Sequence, residues 1–540
     1  MLGRIMDNQL LISGLLQHAD FTSGDREIVT RTVEGPIHRY TYHDAHKRAR
    51  QMANALQALG VQLGDRIATM AWNTYRHFEV YYAVSGIGAV THTLNPRLHA
   101  SQLAYIMNHA EDAFVFVDLN LISLIENVAD ELRGLKGVIV MTDRDHMPET
   151  TLANVYCYEE LIDSHSDEFE WPRFDENTAS SLCYTSGTTG NPKGALFSHR
   201  STMIHAYASA LPDVLHMGES EVILPVVPMF HVNAWGIPYG ATMVGAKLVF
   251  PGPKLDGASI HELLVQEDVT FAAGVPTIWL MLLAHWRETS SSAPALKRTV
   301  IGGSACPESM IREFQDDYGV EVRHAWGMTE TSPLGSVSIP KPSMTDDATR
   351  LRKQTKQGRP VFGVEMRITD DAGKALPHDG KAFGDLQVRG PWIIDNYFKM
   401  DQSDAHSPDG WFATGDVATI DPDGYMEITD RSKDVIKSGG EWISSIEIEN
   451  LAVSHPDVTQ AAVIGVPHPK WDERPLLVVV PADGKSPSHA ELTAFLSDKL
   501  AKWCLPDDTV YIDELPLGAT GKVLKTKLRE QFGDHKLPTA

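Results

Sequence analysis

The feature that most constrains this chain is the rhythm of its first half, where helical stretches alternate with short, continuously apolar runs. Tyr42–Leu59 places Ala45, Ala49, Met52, Leu56 and Leu59 at near-helical spacing, with Gly60 behind it as a stop. Arg66–Met70 then reads as a strand, and Phe78–Ala83 as a second apolar helix ending near Gly86 and Gly88. Phe114–Val117 and Val138–Met141 read as buried strands, as do Glu221–Val226, Ala246–Phe250, Phe271–Ala273 and Arg298–Ile301 further on. Strands alternating with helices predict right-handed βαβ units and a parallel sheet. From about Gly358 the pattern changes. Glu365–Ile368, Asp385–Arg389 and Tyr425–Ile428 are short strand-like runs separated by Gly/Asp/Pro turns, which predicts an antiparallel β portion. After Asp430 a smaller unit begins, with strand-like Ala461–Val466 and Leu476–Val480 and a helix near Ala490–Leu500.

The fold class expected is therefore α/β. A large N-terminal domain over 1–432 combines α/β subdomains with a β portion, and a small α+β domain spans 433–540. At 540 residues the chain has room for roughly three or four domain equivalents. It can bury a sizeable core without disulfide staples. Cys157, Cys183, Cys306 and Cys504 lie far apart with no CxxC pair, which excludes a disulfide scaffold and a cysteine-rich zinc site.

With 47 Lys and Arg against 71 Asp and Glu, the formal charge is −24, the wrong sign for a dedicated nucleic-acid binder. The acid is unevenly spread. Residues 431–540 hold 13 basic and 16 acidic residues, net −3, against net −21 for the rest. The C-terminal unit is thus the better candidate to deliver cations to an anionic ligand. The N-terminal segment carries Asp7 and lacks the apolar core and small-residue cleavage site of a signal peptide. The most apolar long stretch, Ile223–Phe250, is broken by His231, Asn233, Lys247 and three prolines, a poor membrane span. A cytoplasmic protein is expected, and a homodimer as the commonest closed assembly.

The segment richest in chemistry is Tyr184-Thr-Ser-Gly-Thr-Thr-Gly-Asn-Pro-Lys-Gly-Ala195. Its glycines let backbone N–H groups turn toward a polyphosphate, its hydroxyls donate further hydrogen bonds, and Lys193 adds charge. It is not a Walker A loop, because Lys193 is preceded by Pro192 and followed by Gly194. Read on composition alone, such a cluster is equally an ordinary polar turn.

The loop resembles the signature loop of the adenylate-forming superfamily, which includes acyl-CoA synthetases, luciferases and peptide-synthetase adenylation domains. Further segments match in the family's order. Gly302-Gly-Ser-Ala-Cys-Pro307 resembles the adenine-site strand end and His324–Thr331 the second nucleotide motif. Thr414-Gly-Asp416 resembles the ribose motif, Asp430–Glu441 the hinge and following loop, and Pro516–Lys522 the C-terminal lysine motif. The resemblance implies two half-reactions. A carboxylate attacks the α-phosphate of ATP to give acyl-AMP and pyrophosphate; coenzyme A then displaces AMP. Two anions must meet in the first step, so catalysis is positioning and charge neutralisation.

On that resemblance Thr185, Ser186, Gly187, Thr188, Thr189 and Lys193 grip the β- and γ-phosphates. Thr329 contacts the α-phosphate and Glu330 helps hold Mg²⁺. Gly303, Ser304, Ala305, Trp326 and Gly327 frame the adenine. Trp326 replaces the family's usual tyrosine, keeping a flat face to stack while losing the hydroxyl contact. Asp416 and Arg431 take the ribose, and Lys522 bridges carboxylate and α-phosphate. His231 stands beside the carboxylate; Trp235, Gly302 and Pro333 wall the acyl site, with Thr331–Gly335 and Val232–Gly236 as further wall. Lys433 is the hinge about which the small, mobile domain rotates. Lys437, Gly439, Gly440 and Glu441 then face the cleft, the glycines letting the pantetheine arm of coenzyme A pass. Lys470, Trp471 and Arg474 are candidates for the coenzyme A nucleotide, or equally a surface turn.

Trp235 favours a short or medium-chain acid, and the chain as a whole is similar to ligases of medium-chain acids and of the thioether acid 3-methylmercaptopropionate. Two other readings remain open. One is an adenylation enzyme loading a carrier protein, disfavoured because no carrier-attachment segment follows Lys522. The other is a nucleotide-binding regulator without chemistry, disfavoured because Lys522 and Glu330 are both present.

Overall fold

The structure, a computed structural model of the chain, describes every residue except 2, 186–190, 402, 432–433, 435, 439–440 and 519–521. For 431, 441 and 442 it describes the backbone alone. The βαβ rhythm resolves into two large sheets. In the first, Val155–Cys157, Gly137–Val140, Asp112–Val117, Arg66–Met70, Val90–Thr93 and Ala179–Tyr184 run parallel in that order, with Gly194–Ser198 antiparallel at the edge. In the second, Glu321–Gly327, Arg298–Ile301, Phe271–Gly274, Val222–Pro225, Lys247–Phe250 and Glu27–Arg31 are parallel. Antiparallel strands close both its edges, Leu334–Ser338 and Arg359–Pro360 on one side and Ile37–Thr41 on the other.

Helices fill the space between the sheets. Tyr42–Ala58 starts at a capping box in which the Thr41 and Asp44 side chains satisfy each other's backbone N–H. Tyr75–Gly86 is buried around its whole circumference because both sheets face it. Phe78, Tyr81 and Tyr82 on that helix join Phe116 and Ile139 of the first sheet to Leu248 and Phe250 of the second in one continuous core. Each such large apolar side chain is worth about 2–3 kcal/mol of burial.

The antiparallel portion is a four-stranded sheet of Glu365–Thr369, Phe383–Arg389, Phe412–Ile420 and Met426–Arg431. The C-terminal unit is a sheet of Glu441–Ile443, Ile436–Ser438, Asp472–Pro481 and Val458–His468. Asp508–Tyr511 pairs parallel to Asp472–Pro481. Helices Ser445–Val453, His489–Ser497 and Lys525–Phe532 accompany it. The expected arrangement thus stands: a large α/β portion with a β addition, then a smaller α+β unit. The expected boundary at 432/433 lies outside the described residues. Among the described residues no helix is long and apolar enough to cross a membrane.

Candidate active site

The carboxyl ends of four parallel strands converge, the place where open α/β sheets bind ligands. Ala179–Tyr184 delivers Thr185, Val222–Pro225 leads to His231, Arg298–Ile301 runs into Gly302 and Gly303, and Glu321–Gly327 ends in Trp326–Glu330. Together with Lys193, Trp235, Pro333, Thr414, Gly415 and Lys522 they line one cavity of about 820 Å³. Residues matched to the nucleotide, acyl and lysine motifs therefore share a single space, although they span most of the chain.

The acidic corner is built on a single 3-10 turn, Thr329–Thr331, in which Thr329 and Glu330 are both buried. It is reached through a bulge after Trp326, where the Pro333 carbonyl presses so close to Gly327 that a Cβ there would lie 1.8 Å from its oxygen. Tyr397 Oη donates to Glu330 Oε1 at 2.8 Å, and Lys193 Nζ sits 4.9 Å from the centre of the same phenol ring. Burial, then the Glu330 charge, raises the Tyr397 hydroxyl above its ordinary value, so it stays a donor. Among the described residues no group of three or more His, Cys, Asp and Glu could hold a metal. Glu330 is a buried carboxylate on the cavity lining.

Trp326 packs against Gly335, where a Cβ would lie 2.3 Å from the indole. Its Nε1–H donates to Asp416 Oδ2 at 3.1 Å. The tryptophan thus supplies a donor where the sequence implied only a lost contact. Asp416 is itself fixed by its backbone N–H donating to Thr414 Oγ1 at 3.1 Å, and it lies opposite Arg431 on the neighbouring strand. Gly303 and Gly327 line the cavity; Ser304 is exposed and, like Ala305, stays off the lining.

The acyl corner contains a feature invisible in the sequence. Val232, Asn233, Ala234 and Trp235 all have φ between 45° and 58°, a turn of left-handed helix closed by Gly236 at φ 73°. Such a turn costs about 1–2 kcal/mol per non-glycine residue. It is held by the buried Asn233 side chain, whose Nδ2 donates to Ser181 Oγ at 2.9 Å and whose Oδ1 accepts from Tyr81 Oη at 3.3 Å. The turn lays the Trp235 ring over Gly302, where a Cβ would lie 3.2 Å from it. Strain retained by a dedicated polar anchor is characteristic of functional sites. His231, at the start of the turn, has its pKa pushed down to about 4 by enclosure in the cleft and then by the Lys522 charge, and is neutral at pH 7.

Lys522 comes from the C-terminal unit and is flanked by two backbone bonds, Gly518 N–H to the Lys522 carbonyl and Leu524 N–H to the Pro516 carbonyl, both 2.7 Å. The following helix is pinned by the Lys525–Glu449 ion pair, 2.7 Å. Lys437 lies in the strand Ile436–Ser438, exposed and off the cavity lining. Arg474 is tied into its own unit by Asp507, Ser438 and the carbonyls of 503 and 505. Lys470 Nζ lies 4.5 Å from the Trp471 ring centre. Ser186, Gly187, Thr188, Thr189, Lys433, Gly439 and Gly440 lie outside the described residues, as do the side chains of Arg431 and Glu441. Sequence reasoning missed Tyr397 and the lining residue Arg97, each a single residue carried by no recognised motif.

Residues 16–398 match the AMP-binding enzyme family and residues 447–522 the AMP-binding enzyme C-terminal domain. The chain is 54% identical over 538 residues to a 3-methylmercaptopropionyl-CoA ligase of Ruegeria lacuscaerulensis, covering 99% of each. It is 50% identical over 536 residues to a medium-chain-fatty-acid–CoA ligase of Ectopseudomonas oleovorans, covering 99% of this chain and 98% of that one. The structure of ATP-bound MatB from Rhodopseudomonas palustris superimposes with a TM-score of 0.81 at 28% identity over 97% of this chain and 99% of that one. The chain belongs to the AMP-binding enzyme family.

Proposed function

We propose that the cleft joins a short or medium-chain carboxylic acid to coenzyme A at the expense of ATP, through an acyl-adenylate. The observation that carries this reading is the meeting of Lys522, from the C-terminal unit, with His231, Thr329 and Glu330 in one cavity. In the first step a carboxylate oxygen bonds to the α-phosphorus and the bond to pyrophosphate breaks. Lys522 neutralises both anions and stays paired with the oxygens as charge builds on phosphorus. His231, neutral beside it, adds no second charge and can hydrogen-bond the carboxylate. Thr185 and Lys193, with the loop that follows Thr185, hold the terminal phosphates. Thr329 faces the α-phosphate, Trp326 the adenine, and Asp416 the ribose hydroxyls. Mg²⁺ bound through Glu330 would neutralise phosphate charge there.

In the second step the thiol sulfur bonds to the acyl carbon, AMP leaves, and the thiol proton passes to solvent. Residues 433–540 rotate about Lys433 between the steps, withdrawing Lys522 and bringing Lys437–Glu441 to the cleft. Trp235, laid across Gly302, closes the acyl site and limits chain length. The full-length similarity to a 3-methylmercaptopropionyl-CoA ligase supports that thioether acid as substrate, and the similarity to a medium-chain ligase supports apolar acids of like size. A thioether sulfur and a methylene differ little in an apolar site, so both classes compete. The test is ATP–pyrophosphate exchange with C2–C12 acids and 3-methylmercaptopropionate, followed by AMP release on adding coenzyme A. Exchange with none of these acids overturns the reading. Exchange without AMP release points to a carrier-protein acceptor.

A further inference from the structure

The segment Ile394–Phe398 belongs to none of the motifs that identify the nucleotide site, yet it bridges two of them. At one end the Ile394 N–H donates to the Glu330 carbonyl at 3.0 Å. At the other the Phe398 N–H donates to the carbonyl of Gly194, the residue after Lys193, at 2.8 Å. Between these clamps Tyr397, only 8% exposed, touches both charged side chains: its hydroxyl binds Glu330 Oε1 and its ring face meets Lys193 Nζ. A carboxylate and an ammonium that touch the same phenol would attract, and an internal ion pair would withdraw both from an incoming triphosphate.

We propose that Tyr397 is a two-faced positioning residue that holds the Glu330 carboxylate by its hydroxyl and the Lys193 ammonium by its ring, so that each meets the nucleotide instead of the other. The inference rests on the reading of the cleft as an ATP site. The two faces are chemically separable. The hydroxyl acts as the outer partner of a carboxylate expected to bind Mg²⁺, and loss of such partners typically costs about 10–100-fold in metal affinity. The ring acts through a cation–π contact, worth about threefold in binding at a partly exposed site.

The experiment is calorimetric titration of the full chain with ATP, without acid or coenzyme A, once with Mg²⁺ and once with excess EDTA. Tyr397→Phe keeps the ring; it should weaken ATP binding about tenfold with Mg²⁺ and leave the EDTA value unchanged. Tyr397→Leu removes both contacts and should also weaken binding about threefold in EDTA. Two double variants assign the routes. Tyr397→Phe with Glu330→Gln should bind MgATP no worse than Glu330→Gln alone. Tyr397→Leu with Lys193→Ala should bind ATP in EDTA no worse than Lys193→Ala alone. Additive losses in these pairs, or equal losses with and without Mg²⁺ in Tyr397→Phe, overturn the proposal. Should Tyr397→Leu fail to fold, the Tyr397→Phe comparison decides. A wild-type chain that binds no ATP at all overturns the reading of the cleft instead.

Discussion

Trp326, on the lining of the cleft, is joined to the buried Asp416, the indole Nε1–H donating to Asp416 Oδ2 at 3.1 Å while Gly335 supports the indole ring. The bond converts an aromatic that could only stack into a group that also aims the carboxylate expected to take the ribose. Trp326→Phe keeps a flat face but removes the donor. A hydrogen bond to a charged group is worth about 1.5–3 kcal/mol, so ATP should bind at least about tenfold more weakly by calorimetry. Gly335→Ala should have a similar effect from the other side, since its Cβ would meet the indole at 2.3 Å. A Kd within twofold of wild type for both variants would show that the indole–carboxylate bond contributes nothing to the nucleotide site.

The parallel core was legible in the sequence because its strands are buried on both faces and so read as unbroken apolar runs, as at Phe114–Val117. The strand Phe412–Ile420 was not, because Thr414-Gly415-Asp416 interrupts its apolar residues and Gly415 sits at φ 75°. The hairpin Glu27–Arg31 and Ile37–Thr41 was missed as well, since it gains its place by pairing with Lys247–Phe250, some 200 residues away. The site divides the same way. Loops with unusual composition were readable as motifs, whereas Tyr397 acquires its role only by being folded against Glu330 and Lys193. The left-handed turn had no signal at all: Val232-Asn-Ala-Trp235 contains no glycine, and the cost of its geometry is offset by Asn233 reaching Ser181.

Stability should fall with acid over a window set by buried imidazoles. His77, His199, His205, His231 and His324 are each pushed down to about 4, burial being the first cause in every case. In the unfolded chain they regain about 6.5. Below pH ~6.5 the unfolded state therefore binds protons that the folded state refuses, and stability declines until about pH 4, by at most ~3 kcal/mol per histidine. Asp118, raised to about 7 by burial, works in the opposite direction, because its neutral form is the one the fold favours. Glu79, Asp112, Glu447 and Glu449 are raised by burial in the same sense as Asp118, while His38, His46, His109 and His261 are lowered by burial like the five named. Among the described residues nine lowered imidazoles therefore stand against five raised carboxyls. The urea midpoint should drop clearly between pH 7 and pH 5; a flat or rising midpoint would mean that these histidines protonate without unfolding the chain.

Trp235→Ala should lengthen the acids accepted. The ring covers Gly302 in the proposed acyl site, and the variant removes it. Each added methylene in an apolar site is worth about 1–3 kcal/mol. The kcat/KM optimum across C4–C12 acids should shift by at least about two carbons, with activity on short acids reduced. An unchanged profile would place the end of the site elsewhere than Trp235.

Lys522→Ala separates the two half-reactions. Lys522 is flanked by backbone bonds from Gly518 N–H to its own carbonyl and from Leu524 N–H to the Pro516 carbonyl, with Lys525 paired to Glu449, so the variant removes charge and leaves these contacts in place. Loss of one preorganised cation or donor costs about 10²–10³ in rate. Acyl-adenylate formation, followed as pyrophosphate exchange, should fall by that factor. Thioester formation from supplied acyl-adenylate should remain near wild type if, as proposed, the C-terminal unit rotates between the steps and withdraws Lys522. A bulky side chain at Gly440 should give the reverse pattern. Equal loss of both half-reactions in both variants would mean that one fixed arrangement of the two units serves both steps.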